Sequence, residues 1–146
     1  MAVEFYADKA AYTEQIARNG VEGEVIIHDR YIRDEDVKYY FSAADVLIQP
    51  YRTATQSGVT QIAYHFGLPM IVTDVGGLAE IVPDNVVGYV TSPIPDSIAF
   101  AVIWFYEDDN AGRFRQNIET EKKRFSWDAM ADKLAEAYRM AGGKEK

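Results

Sequence analysis

Short apolar runs alternate with stretches in which apolar residues recur every three to four positions, and no other feature of this chain constrains its fold so tightly. Four runs read as buried strands: Val25–Ile27, Val46–Gln49, Met70–Thr73 and Gly88–Thr91. Three of them are rich in Val and Ile without strict alternation, the pattern of strands covered on both faces. Helical spacing fills the intervals. Tyr12 and Ile16 lie four apart, with Gly20 as a helix stop. Val37, Tyr40, Phe41 and Ala44 follow an acidic start, Asp34-Glu35-Asp36, which suits the positive end of a helix dipole. Val59, Ile62, Ala63 and Phe66 repeat the spacing. The remainder reads as helices over Ile98–Tyr106, Ala111–Lys122 and Trp127–Met140, the last with one stripe of Trp127, Met130, Ala131, Leu134 and Tyr138. Trp104, Phe105 and Trp127 are expected in the core. Strands alternating with helices mean parallel pairing and crossover connections. The expected architecture is α/β, a Rossmann-like, doubly wound parallel sheet.

Length and composition narrow the function classes. The 146 residues amount to one domain, expected over 1–141, with Gly142–Lys146 as a disordered tail. Against 15 Lys and Arg stand 23 Asp and Glu, a net charge of −8, so a nucleic-acid partner is not expected. The absence of cysteine removes disulfide scaffolds, thiolate zinc sites and cysteine nucleophiles, and two histidines argue against a His-rich metal site. No apolar run approaches the roughly 20 residues of a membrane span. The start, Met1-Ala2-Val3-Glu4, lacks the pattern of a secretory signal, so a cytoplasmic location is expected.

Open parallel sheets bind ligands beyond the carboxyl ends of their strands. That rule selects His28–Ile32, Pro50–Gly58, Asp74–Leu78 and Ser92–Asp96. Two of these loops carry distinctive chemistry. Thr53-Ala54-Thr55-Gln56-Ser57-Gly58-Val59 places small and hydroxylated residues at the start of a helix, where free N–H groups and the dipole attract phosphate. Ser57 as a simple helix cap is the competing reading. Asp74-Val75-Gly76-Gly77-Leu78-Ala79-Glu80 sets a glycine pair between a strand and a short helix, a second anion-friendly turn or an ordinary positive-φ turn. Neither G-x-G-x-x-G nor G-x-x-x-x-G-K-[ST] occurs. His28 reads as a hydrogen-bonded strand-end residue and His65 as solvated. Tyr31 could stack on a base or sit on a rim. Arg30, Arg33 and Arg52 could lend local positive potential or be plain surface arginines. Lys122-Lys123-Arg124 reads as a solvated face and Asp128 as a first-turn residue of the final helix.

Taken in order, these segments resemble a known family. Tyr40 to Tyr51 carries an "aaDv.v.Py" strand. Ala54-Thr55-Gln56-Ser57-Gly58-Val59 leads into Gln61 to Pro69, then Thr73-Asp74-Val75-Gly76-Gly77-Leu78-Ala79-Glu80, Gly88, and Phe125-Ser126-Trp127. The set is similar to the C-terminal, donor-binding domain of a group 1 (family 4) glycosyltransferase of the GT-B fold. The resemblance implies a nucleotide-diphospho-sugar donor, transfer with retention of configuration to a glycan, lipid or polysaccharide acceptor, and neither cofactor nor metal. It implies Gln56, Ser57, Gly58 and Val59 against the donor sugar and phosphates, Gly76 and Gly77 bordering the sugar, and Arg30, Tyr31 and Ile32 flanking the base. No residue stands out as catalytic.

The sequence departs from the family pattern in two ways. Many members carry two glutamates eight positions apart before the Gly67 position, one holding the donor sugar and one the ribose. Here that register holds Ala54 and Ile62, or Thr55 and Ala63 with a one-residue shift. The chain also opens at Val3-Glu4-Phe5-Tyr6, which resembles a segment after the domain's second strand. The expectation is therefore an N-terminally truncated domain whose parent supplies the acceptor-binding half, inactive alone and open to self-association through a bare sheet edge. The parent could lie peripherally on the inner membrane face. A sugar-nucleotide epimerase of the same layout and a non-catalytic signalling module are the alternatives.

Overall fold

The computed structural model describes residues 9–107 and 110–141. The Val3–Tyr6 opening and the expected tail at 142–146 lie outside the described residues. The chain forms two units, Met1–Val37 and Lys38–Lys146.

In the first unit, α1 (Lys9–Arg18) ends where Gly20 was expected to stop it. Gly20 takes a φ of 67°, its N–H donates to the Ala17 carbonyl at 3.0 Å, and the Val21 N–H donates to Ile16 at 3.3 Å. That pair of bonds satisfies two carbonyls the helix end would leave open. The expected strand Val25–Ile27 does not form. Only the adjoining His28 makes a single bridge, and Ile26 is exposed. An apolar run supplies strand propensity, but surroundings override it: the Val25 N–H turns back to the Val21 carbonyl at 3.2 Å. Helix α2 (Asp34–Ala43) begins on its three acidic residues, and the boundary between the units falls within it.

The second unit follows the expected alternation. In chain order come β1 (Leu47–Gln49), α3 (Gly58–Phe66), β2 (Met70–Thr73), α4 (Leu78–Ile81) and β3 (Gly88–Thr91), then α5 (Pro95–Glu107), α6 (Asn110–Glu121), a 3-10 turn (Lys122–Phe125) and α7 (Trp127–Met140). The strands are parallel in the order β1-β2-β3, with Ile48 opposite Ile71 and Val72 opposite Val90. Every residue of β2 is buried. Met70 and Val72 pack with Ala63 and Tyr64 of α3, Leu78 of α4, and Ile118 of α6. Ile71 points the other way, onto Ala101 and Phe105 of α5 and Phe114 of α6. Successive strand residues face opposite sides, so a centrally placed strand must be apolar throughout. Each such large side chain contributes roughly 1.5–3 kcal/mol when fully buried.

Helix α6 also fixes the approach to β3. Arg113 donates to the carbonyl and side-chain oxygens of Asn85, both at 2.8 Å, and Asn117 donates to the Val86 carbonyl at 2.8 Å. Asn85 has a φ of 57°, a conformation asparagine tolerates better than most residues.

Two core expectations are overturned. Phe105 is buried, but Trp104 is 52% exposed and Trp127 is 84% exposed. Helix α5 is largely apolar, yet it buries only Ala101 and Phe105, while Trp104 stacks on Phe100 and meets the Tyr89 ring edge-on from a half-exposed position. Helix α7 has the expected bounds and no buried residue, so its stripe of Trp127, Met130, Leu134 and Tyr138 faces outward. Helical periodicity tells which face is apolar; it does not supply a neighbour for that face.

Candidate functional site at the start of the third helix

All three strands end on a polar residue: Gln49, Thr73 and Thr91. Two of the loops selected from sequence, Pro50–Gly58 and Asp74–Leu78, are bonded together beyond these ends. The Thr73 hydroxyl donates to the Tyr51 carbonyl at 2.6 Å, anchoring the chain as it leaves β1. The Gly77 N–H donates to the Thr55 carbonyl at 3.0 Å, so the two candidate loops are bonded to each other. Gly76 has a φ of 56°, and a Cβ built there would lie 1.8 Å from the Ala54 carbonyl oxygen. Glycine is thus required by conformation and by close approach together. The glycine pair seats one loop on the other, and the Gly77 N–H is engaged within the fold.

The start of α3 differs. Ser57 has the extended backbone of a capping residue, φ −135° and ψ 119°, yet its side chain makes no cap bond. Instead Ser57 Oγ accepts from Gln49 Nε2 at 2.8 Å. The capping reading of Ser57 therefore fails. The Thr60 N–H and hydroxyl both turn back to the Ser57 carbonyl, at 3.3 and 2.5 Å. The N–H groups of Gly58 and Val59 belong to the turn that has no intrahelical partner. Open space surrounds Gly58, where an added Cβ would meet nothing within 4 Å. Gln56, Ser57, Gly58 and Val59 thus form one contiguous edge beside the Gly76–Gly77 turn.

Arg30, Tyr31 and Ile32 belong to the first unit. Arg30 and Tyr31 are exposed, Tyr31 by 74%, and Ile32 is partly buried. Arg33 pairs with Glu35 at 2.6 Å and Asp36 at 3.1 Å, so its charge is locally compensated. His65 is exposed, as expected. Lys122 pairs with Glu119, and Arg124 with Glu121, in i,i+3 surface bridges of the kind worth little. An open groove of about 330 Å³ is lined by Asp74, Ala79, Asp84, Val90, Thr91 and Ser92. It shares Asp74 and Ala79 with the second candidate loop, and its two carboxylates disfavour an anion.

Sequence reasoning passed over Gln49. The available signal was a glutamine closing an otherwise apolar run, Val46-Leu47-Ile48-Gln49. Among the described residues, no group of three or more His, Asp and Glu could hold a metal ion, and no helix is long and apolar enough to cross a membrane.

Comparison with known proteins bears on the fold and the family. An uncharacterized glycosyltransferase of Methanocaldococcus jannaschii is 31% identical over 117 residues, covering 76% of this chain and 29% of the relative. Sucrose-phosphate synthase of Thermosynechococcus elongatus superposes with a TM-score of 0.75 at 24% identity, over 90% of this chain and 34% of that one. HepE of Anabaena, solved in complex with UDP, gives a TM-score of 0.72 at 23% identity, over 90% of this chain and 36% of that one. The chain thus spans about a third of the length of these proteins. The shared fold is the Rossmann-like α/β domain of GT-B glycosyltransferases. The family model for glycosyl transferases group 1 matches residues 5–108, a span containing both candidate loops, all three strands and the uncapped helix start. The chain belongs to the group 1 glycosyl transferases.

Proposed function

We propose that this chain is the donor-binding part of a retaining glycosyltransferase, and that the diphosphate of a nucleotide-diphospho-sugar rests on the start of α3. One observation carries the reading: the helix begins with no side-chain cap, because Ser57 is held by Gln49. Free N–H groups at a helix start, backed by roughly half a positive charge of dipole, suit a phosphate or diphosphate. Family membership supports the reading, as does the presence of UDP in the HepE structure. In a chain of net charge −8, this local field must outweigh the global one. Gln56 to Val59 would lie along the donor phosphates and sugar, with Gly76 and Gly77 forming the adjacent border. As charge develops on the leaving diphosphate, the preoriented N–H groups stabilise it without reorganising, and no metal or cofactor is invoked. The acceptor side of the cleft would come from the remainder of a longer enzyme, so the 146-residue chain alone transfers no sugar.

The test is a ligand-observed NMR titration of UDP, ADP and GDP against the chain and against Gly58→Asp. A Cβ at Gly58 meets nothing within 4 Å, so the variant is expected to fold while setting a carboxylate beside the proposed phosphate position, and its thermal melt checks this. Binding of one diphosphate that Gly58→Asp abolishes is the expected result. Equal binding by both proteins, or sugar transfer by the isolated chain, would overturn the reading.

A further inference from the structure

Gln49 is 3% exposed at the end of β1, opposite Val72 of the central strand. Its Nε2 donates to Ser57 Oγ at 2.8 Å and approaches the Tyr51 hydroxyl at 3.4 Å. Its Oε1 is buried with no hydrogen-bond partner. A buried amide that leaves one end unmatched lowers stability, and an apolar residue of similar size would avoid the penalty. Persistence of such a group calls for a task that the amide performs.

The chemistry of the bond indicates the task. A serine hydroxyl has one proton and two lone pairs. With one lone pair taken by Gln49 Nε2–H, the Ser57 proton is left for another acceptor. Turning the amide by half a rotation would reverse this. Ser57 would then donate to Gln49 Oε1, and no proton would remain for another acceptor. The cap is withheld because Ser57 Oγ is held against the end of β1 and makes no bond to its own helix; the amide orientation decides whether that hydroxyl keeps a free donor.

We propose that Gln49 is a positioning residue: it withholds Ser57 from capping α3 and presents the Ser57 hydroxyl as a donor to an anionic oxygen bound at that helix end. The ligand half of this assignment rests on the donor-site reading above. The capping half does not.

The test uses the 146-residue chain with Gln49→Leu, Ser57→Ala and the double substitution. Without ligand, Gln49→Leu frees Ser57 to cap, so amide hydrogen exchange at Val59 and Thr60 slows several-fold and the thermal midpoint holds or rises. UDP affinity falls about tenfold, the scale of one hydrogen bond to a charged group, while binding of uridine is unchanged. Ser57→Ala loses about as much, and the double variant loses no more than either single one, because Gln49 acts through Ser57. Faster exchange with a lower midpoint in Gln49→Leu would overturn the capping half. Additive affinity losses, or unchanged UDP affinity in Gln49→Leu, would overturn the ligand half. If the unsubstituted chain binds no UDP, the donor-site reading and the ligand half fall together, and the exchange measurement still decides whether Gln49 withholds the cap. Should Gln49→Leu not fold, Gln49→Met carries the same measurements.

Discussion

Two helices in this chain begin behind a serine in extended conformation, and the two serines do opposite things. Ser126, before α7, accepts from the Ala129 N–H at 3.1 Å and closes the helix start. Ser57, before α3, is occupied by Gln49 and closes nothing. Residue type, position and backbone region agree, so none of these explains the difference. Surroundings do. Ser126 lies on an exposed turn where its nearest donors belong to its own helix. Ser57 is buried against the end of β1, where a strand brings a competing donor. A cap is a local bond that any long-range partner of better geometry can displace, and the displaced position is where we propose the donor diphosphate rests.

The most damaging way to break this contrast is to disturb the support under the α3 start. Gly76→Ala forces a Cβ against the Ala54 carbonyl in a positive-φ conformation. A loss of about 3 kcal/mol or more is expected, at the upper end for single substitutions, and chemical denaturation measures it. Gly58→Ala, in open space, is the matched control.

The next effect links the two helix starts. Tyr64 of α3 packs its ring 4.9 Å from Phe125, just before Ser126, and donates its hydroxyl to the Ile81 carbonyl at 2.7 Å. Burial, with a smaller push from Glu121 and some opposition from Arg124, raises its pKa from 10.0 to about 12. The folded state thus holds the phenol proton more tightly than the unfolded state does. That contribution is complete below pH 10 and is lost as pH rises through 12, by about 1.4 kcal/mol per pH unit at most. Alkaline unfolding curves of the parent should show this loss, and those of Tyr64→Phe should lack it. Identical alkaline slopes would refute the assignment.

The smallest effects sharpen the contrast most. Ser126→Ala removes a working cap and should cost about 1 kcal/mol. Ser57→Ala removes no cap but leaves the buried Gln49 Nε2 without its acceptor, a cost of about 1 kcal/mol or more that comes without faster exchange at the α3 start. Amide hydrogen exchange decides the matter, at Ala129 in one variant and at Val59 and Thr60 in the other, and faster exchange at both helix starts would erase the distinction.

Much of the fold could be read from residue pattern. The bounds of α7, β2 and β3 match their expected ranges, and β1 starts one residue later than expected, at Leu47. These elements carry strong periodicity or Val/Ile runs, and those signals are local. Both candidate loops were legible too, from small residues placed between a strand and a helix. The failures share one cause. Val25–Ile27 has the composition of a strand, Trp127 heads an apolar stripe, and Trp104 lies in a largely apolar helix. Each reading needed a tertiary setting that composition cannot promise.

The sequence by itself determined the alternation of strands and helices from β1 onward, the parallel arrangement, and the two loops that follow β1 and β2. Backbone periodicity and crossover geometry suffice for that, because they depend on residues close together in the chain. Only the tertiary structure decided that Gly76 must pass under the Ala54 carbonyl, and that Gln49 takes the hydroxyl Ser57 would otherwise give to its own helix. Hydrogen bonds are short and directional, so which donor meets which acceptor is settled only when distant segments are brought within 3 Å of one another.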